Sequence, residues 1–377
     1  MKQKGSVSTS LITIAVIALL IGAAVGYFIA PKGVSKADYT TLQQQVVDLQ
    51  AQVTTLTSPK KIGLILATGG LGDKSFNDIS HAGVQRAKDE LGIEFDKVEP
   101  TAISEYEGYQ RDFASSGEYE LIICVGFDQA DALTIIAEEY PNQKFAIVDM
   151  VVDKPNVASL LFKANEGSFL VGVIAAAVTS QGGTVGFVGG MDNPMIRDFF
   201  EGYEAGVLWV SDNLDLNITI QNPVFVGGWG DPSTGKEMAL SLVELGAEVI
   251  FVAAGGSGLG ALEACNETGI WGIGVDASQG YLYPEIIASM TKRVDVAVYT
   301  TIVDALLGTF DGGFITGGLA EKWVGCDRLP DEESFWETLY NFDYDPDRTL
   351  TSGTIELIEF ARFGIVSGTI VVPTGYD

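Results

Sequence analysis

The chain has 377 residues, enough for two domains with cores of their own, and 47% of them are hydrophobic, with 45 glycines. Its formal net charge of −28 excludes nucleic acid as a partner, because a phosphate backbone needs a basic surface. The same charge suits an acidic, self-repelling surface in salty or extracellular surroundings. Three cysteines (Cys124, Cys265 and Cys326) without CxxC spacing give no disulfide framework. With His81 as the single histidine, they give no zinc site either.

Residues 1–33 read as a membrane anchor. Lys2 and Lys4 precede the uncharged run Leu11–Ala30, whose 20 residues span about 30 Å as a helix, one hydrocarbon thickness. That run is longer than the apolar region of a cleaved signal peptide, and no cysteine stands nearby to carry a lipid. The lysines place the amino terminus inside and the remaining chain outside. Residues 34–60 read as a stalk. Tyr39, Leu42, Val46, Leu49, Val53 and Leu56 alternate by 3 and 4 as an a/d seam. So short a seam supports a weak dimer between membrane-confined chains, or a lone amphipathic spacer. Pro59 ends it.

From Lys61 onward the pattern is α/β. Apolar runs at Ile62–Ala67, Leu121–Val125, Phe145–Val148, Val185–Val188, Val249–Ala253 and Trp271–Val275 predict buried strands. Helical patterns at His81–Glu90, Asp131–Tyr140, Phe169–Thr179, Ile196–Val210 and Lys236–Leu245 fall between them. Such alternation predicts two doubly wound parallel-sheet lobes with a cleft between them. The expected lobes are 61–165, with part of 280–312 returning to it, and 166–279, with part of 313–377. The segment Asp327–Arg348 is acidic and aromatic, without calcium-loop spacing, and reads as a solvated face. Asn217-Ile-Thr and Asn266-Glu-Thr match the glycosylation triplet, which also arises by chance.

The stretch Lys60–Asn77 carries the strongest local signal for a site. A buried strand runs into a turn with Gly69, Gly70 and Gly72, then into a helix bearing Asp73, Ser75, Phe76 and Asn77. The loop beyond the carboxyl end of a parallel strand is where open α/β sheets bind ligands. Phe76 either offers a flat apolar face there or belongs to the core. Two other glycine-rich stretches mislead. Gly230–Lys236 matches seven positions of a phosphate-binding loop, but Glu237 replaces the magnesium-binding hydroxyl and Pro232 removes an N–H. In Ala253–Gly260 the glycines miss the GxGxxG spacing, yet Gly255 and Gly256 still present N–H groups at a helix start. No Gly-x-Ser-x-Gly accompanies His81, so hydrolase chemistry has little support.

Eight blocks in order give the chain a resemblance to the basic membrane protein family, the PnrA-like nucleoside-binding lipoproteins of ABC importers. They are Gly72–Asp78, Gly126–Leu133, Pro141–Asp149, Gly186–Gly206, Gly227–Ala239, Ala253–Ala264, Gly274–Gln279 and Ser289–Tyr299. The resemblance implies a type I periplasmic-binding-protein fold, a purine nucleoside between the lobes, an ABC permease as partner, no cofactor and no catalysis. It implies that Phe76 and Trp229 stack on the base and that Asp131, with Asp128 as its rival, accepts from the base edge. It further implies that Asp276 and Lys292 hold the ribose, with Asp73, Ser75, Asn77, Gly255 and Gly256 completing the polar shell. On spacing alone, Asp276 reads equally well as a helix cap and Lys292 as a partner for a surface acid. A sugar receptor and a nucleoside-processing enzyme are the rival functions. The few residues before Leu11 argue against signalling through the anchor.

Overall fold

A computed structural model describes residues 60–329 and 350–376. The expected anchor, the heptad segment and residues 330–348 of the acidic stretch lie outside the described residues. The first three of that stretch, Asp327–Leu329, are buried beside the strand Ile286–Lys292 rather than solvated, with Ser289 N–H donating to Asp327 at 2.8 Å. Among those described, no helix is long and apolar enough to cross a membrane.

The first lobe opens with β1 (Lys61–Ile65), α1 (Phe76–Leu91), β2 (Glu94–Val98), α2 (Tyr106–Ser116), β3 (Tyr119–Val125), α3 (Ala130–Glu139), β4 (Phe145–Val148) and β5 (Val157–Phe162). The chain then passes to α4 (Ala164–Val178), β6 (Thr184–Gly189), α5 (Pro194–Leu214), β7 (Thr219–Ile220) and β8 (Val224–Phe225). Next come α6 (Pro232–Glu244), β9 (Ala247–Ala253), α7 (Gly255–Thr268), β10 (Trp271–Asp276) and β11 (Ile286–Lys292). It returns through α8 (Val294–Leu307) and β12 (Gly313–Gly317), crosses again to β13 (Val324–Cys326), and ends with α9 (Ser352–Val366).

One sheet has the order β12-β5-β4-β3-β1-β2 with every pair parallel. The other runs β13-β11-β10-β9-β6-β7, with β8 also on β6 and only β13 antiparallel. Alternation explains the continuous apolar runs. Along β3, Leu121, Ile123 and Val125 pack under α1 and α8, whereas Ile122 and Cys124 pack under α2 and α3. Each such side chain stabilises the fold by about 1.5–3 kcal/mol, and an uninterrupted run follows because both faces are covered.

Three crossings join the lobes, and two share one design. β5 belongs to the first sheet, yet α4 packs on α5 in the second lobe; β11 belongs to the second sheet, yet α8 packs on α1 in the first. The junction residues Lys163 (φ −81°, ψ 72°) and Arg293 (φ −77°, ψ 58°) have nearly the same backbone conformation. Lys163 N–H donates to the carbonyl of Gly317 and Arg293 N–H to that of Trp323, so the third crossing runs beside the first two. Of the two Asn-x-Thr triplets, Asn217 is exposed in the loop before β7 and Asn266 lies within α7. The three cysteines are buried.

Candidate functional site

The strand-to-helix turn after β1 needs φ above zero at Gly69 (+106°), Gly70 (+64°) and Gly72 (+94°), which glycine adopts without steric cost. Beyond it, the Asp73 carboxylate accepts N–H bonds from Ser75 (3.0 Å), Asn77 (2.8 Å) and Asp78 (3.1 Å), which binds the start of α1 to its own loop. Asn77 Oδ1 accepts from Ala67 N–H at 2.9 Å and ties that start to the end of β1. Phe76 is thereby fixed at the first turn of α1, half-buried, with its ring in the wall of the inter-lobe cleft. Burial pushes the Asp73 carboxyl up to about 6, although its three N–H donors pull the other way.

Trp229 forms part of the facing wall, from the loop between β8 and α6. Its indole lies where a side chain on residue 190 would be: a Cβ at Gly190 would stand 2.2 Å from Cζ3. Its carbonyl accepts from Ser257 N–H at 2.9 Å, which holds the loop to the first turn of α7. Gly255 (φ +53°) and Gly256 open that helix in the same wall, and the leading N–H groups of a helix have no partner within it. Across the mouth, Phe127 meets the Trp229 ring edge to face at 6.4 Å.

The hinge end of the cleft is charged. Asp276 ends β10 and Asp149 follows β4, the equivalent strand of the other sheet, and both are left-handed, at φ +65° and +68°. Asp276 is buried and accepts from Ser75 Oγ, a bond that joins the two lobes. Its carboxyl is raised, first by burial and also by Asp149, while Lys292 and Ser75 oppose the shift. Lys292, on β11 and 2% exposed, pairs with Asp149 across the hinge. Its Nζ lies 5.0 Å from the ring centre of Phe162, 5.1 Å from Phe76 and 5.6 Å from Phe199. Aromatic faces compensate part of the cost of burying an ammonium group. Gln279 Nε2 donates to the Lys74 carbonyl at 3.0 Å as a further tie between the lobes.

The cleft holds about 640 Å³ of empty space, open solvent at its mouth included. The structure brings Asp73, Phe76, Asn77, Asp128, Trp229, Gly255, Gly256, Asp276 and Lys292 into its walls. Ser75 is fully buried behind Asp276 instead. The two carboxylates considered for one role separate clearly. Asp128 is half-buried in the wall, with Tyr106 Oη donating to it at 3.2 Å, and its carboxyl is raised chiefly by burial. Asp131 is exposed on α3 and outside the cleft lining.

Sequence reasoning missed Asp149, Phe127 and Phe199. Asp149 ends one of the quoted blocks and follows an apolar run, so its place at a strand's carboxyl end was a usable signal. Phe127 and Phe199 also stand in quoted blocks, but Phe199 looks like any apolar residue of an amphipathic helix. Of the two misleading motifs, the first serves the fold, whereas the second supplies Gly255 and Gly256 to the cleft wall. Asp231 caps α6 through Thr234 N–H at 3.0 Å, and Lys236 pairs with Glu263 and Glu267. Among the described residues, no group of three or more His, Cys, Asp or Glu is placed to hold a metal ion.

Two α/β lobes joined by three crossings around a lined cleft define a ligand-binding protein of the periplasmic type. The family described as ABC transporter substrate-binding protein PnrA-like matches residues 60–345. An uncharacterized lipoprotein of Pyrococcus abyssi is 36% identical over 288 residues, covering 74% of this chain and 71% of the relative. Basic membrane protein A of Borreliella burgdorferi is 35% identical, covering 73% and 81%. The crystal structure of an ABC transporter solute-binding protein from Aeropyrum pernix superposes with a TM-score of 0.75 at 32% identity, covering 84% of this chain and 94% of that one. The chain therefore belongs to the PnrA-like substrate-binding proteins of ABC transporters, a family of binding proteins rather than enzymes.

Proposed function

We propose that this protein captures a purine nucleoside outside the membrane and presents it, in the closed form, to an ABC permease. The observation that carries this reading is the make-up of the cleft, in which the rings of Phe76, Phe127 and Trp229 share the walls with the Asp276, Lys292 and Asp149 side chains. A nucleoside has two π faces, a polar base edge and a vicinal diol, and each finds a counterpart. Phe76 and Trp229 stack on the base, a contact worth about 1–3 kcal/mol per base. Asp128, which faces the cleft where Asp131 does not, accepts N–H groups of the base edge. Asp276 and Lys292 bind the ribose hydroxyls through charge-assisted bonds. Asp73, Asn77 and the start of α7 complete the polar wall, and Ser75 positions Asp276. Relatives named as lipoproteins and membrane proteins support a membrane-attached, extracytoplasmic placement, and the expected anchor in residues 1–33 is the proposed attachment.

The test is calorimetric titration of the full-length chain in detergent, refolded to strip co-purified ligand, with adenosine, guanosine, inosine, uridine and ribose. Saturable binding of a purine nucleoside with ribose inert is the expected outcome. Binding of ribose alone would make the protein a sugar receptor, and no binding across the panel would refute the nucleoside reading.

A further inference from the structure

The Asp149–Lys292 pair lines more than the ligand cleft. A second space of about 910 Å³, counted out to its own mouth, lies against the hinge and shares Asp149, Met195 and Lys292 with the cleft. Its remaining walls are different. They come from the first crossing (Leu161–Asn165), from Thr316 at the end of β12, from Met150 and Val151 after β4, and from Thr374 and Tyr376 near the carboxyl end. That last wall is anchored. Asn165 Nδ2 donates to the carbonyls of Val372 (3.3 Å) and Pro373 (2.9 Å), and Gly375 N–H donates to buried Asp198 at 3.2 Å.

The position of this space relative to a bound nucleoside follows from the proposed function, on which the inference rests. With the base among Phe76, Trp229 and Phe127, the sugar lies at Asp276 and Lys292. A ribose bound through its 2′ and 3′ hydroxyls and joined to the base at C1′ has its 5′ carbon left to carry a substituent. Beyond Lys292 and Asp149 the second space begins. We propose that it is a subsite for a group on the 5′ carbon, so that the ligands of this protein include nucleosides extended at that position.

The walls also define the chemistry of the extension. Asp149 and Asp198 face the space together with Lys163 and Lys292. Both ammonium groups are already paired, Lys292 with Asp149 and Lys163 with Glu166 at 3.0 Å. A phosphate there would meet two carboxylates without gaining a new cation partner, which is unfavourable in a partly buried site. Met150, Val151, Phe162 and Met195 supply apolar and polarizable surface instead. The fitting substituent is uncharged and partly apolar, such as a thioether.

The experiment titrates the full-length chain in detergent with adenosine, inosine, the 5′-deoxy-5′-methylthio derivative of each, and adenosine 5′-monophosphate. Two variants narrow the second space from exposed positions outside the cleft, Val151→Trp and Thr316→Trp. The expected result is that the thioethers bind within about threefold of their parents and the monophosphate at least tenfold more weakly. Either Trp variant should then weaken the thioethers tenfold or more while the parents stay within twofold. Parents that bind while thioethers are rejected tenfold would overturn the subsite and leave the nucleoside reading intact. So would thioether binding that neither Trp variant alters. A monophosphate that binds like its parent would overturn the assigned chemistry. If neither parent binds, the nucleoside reading falls and takes the subsite with it.

Discussion

Asp276 shows how one residue serves backbone, lobe contact and ligand at once. Its left-handed φ of +65° costs an ordinary L-residue about 1–2 kcal/mol, whereas Asp and Asn tolerate it. Asp276→Asn therefore keeps the turn and removes only the charge, and nucleoside affinity should fall tenfold or more with the melting temperature nearly unchanged. Unaltered affinity by calorimetry would remove Asp276 from the site. Asp198 makes a different kind of prediction. Burial pushes its carboxyl up to about 6, above its usual range near 4. The folded state thus binds this proton more tightly than the unfolded chain does. Stability from this group is then present below about pH 4 and is lost as pH rises through about 6, the reverse of a salt-bridged carboxylate. Urea titrations of wild type and Asp198→Asn should show the wild type gaining more on acidification from pH 7 to 5, by at most about 1.5 kcal/mol. Parallel pH profiles would mean that burial does not hold this proton. Asp73, also raised to about 6, adds to the wild-type slope in both proteins and cancels in the comparison.

At the scale of elements, α4 and α5 approach so closely that their glycines touch the opposing backbone. A Cβ at Gly206 would stand 2.1 Å from the Phe169 carbonyl oxygen, and one at Gly172 would stand 2.2 Å from that of Tyr203. Neither backbone oxygen can swing aside as a side chain would, so Gly206→Val must separate the helices. Overpacking of this kind costs about 1–3 kcal/mol or more, and a lowered urea midpoint with an unchanged m-value is the expected result. An unshifted midpoint would mean the helices are not in this contact. The same elements show what the sequence disclosed. Strands β3, β4, β9 and β10 are legible because helices cover both faces and leave unbroken apolar runs. β5 and β11 are not, because Ser159 in one and Ser289 in the other interrupt the run. Both hydroxyls are buried and accept backbone N–H bonds, from Val152 (3.0 Å) and Gln279 (2.9 Å), contacts that no periodicity reports. The site followed the same logic. Phe76 was legible as an aromatic beside a glycine-rich turn and Trp229 only through the family resemblance, but that Asp128 and not Asp131 lines the cleft depends on the pitch at which α3 leaves its strand.

At the largest scale, residues 60–329 and 350–376 form a pair of lobes held together on the ligand side by a few specific bonds. Ser75 of the first lobe donates to Asp276 of the second, Gln279 reaches back to the Lys74 carbonyl, and Lys292 pairs with Asp149. In the proposed function the lobes open and close about the three crossings, so that these bonds bias the equilibrium towards the closed form and a ligand touching both lobes biases it further. Ser75 is suited to testing this because it is fully buried behind Asp276 and outside the cleft lining. A hydrogen bond to a charged group contributes about 1.5–3 kcal/mol, so Ser75→Ala should shift the ligand-free protein measurably towards the open form. Apparent affinity falls with the closed fraction, by about tenfold to a hundredfold at that energy. Small-angle scattering separates this effect from a direct loss of contact. The variant should have a larger radius of gyration than wild type without nucleoside and the same radius at saturation. Equal radii in the ligand-free state, with affinity still reduced, would mean that Ser75 acts by tuning the Asp276 carboxylate and that closure is held by the other ties.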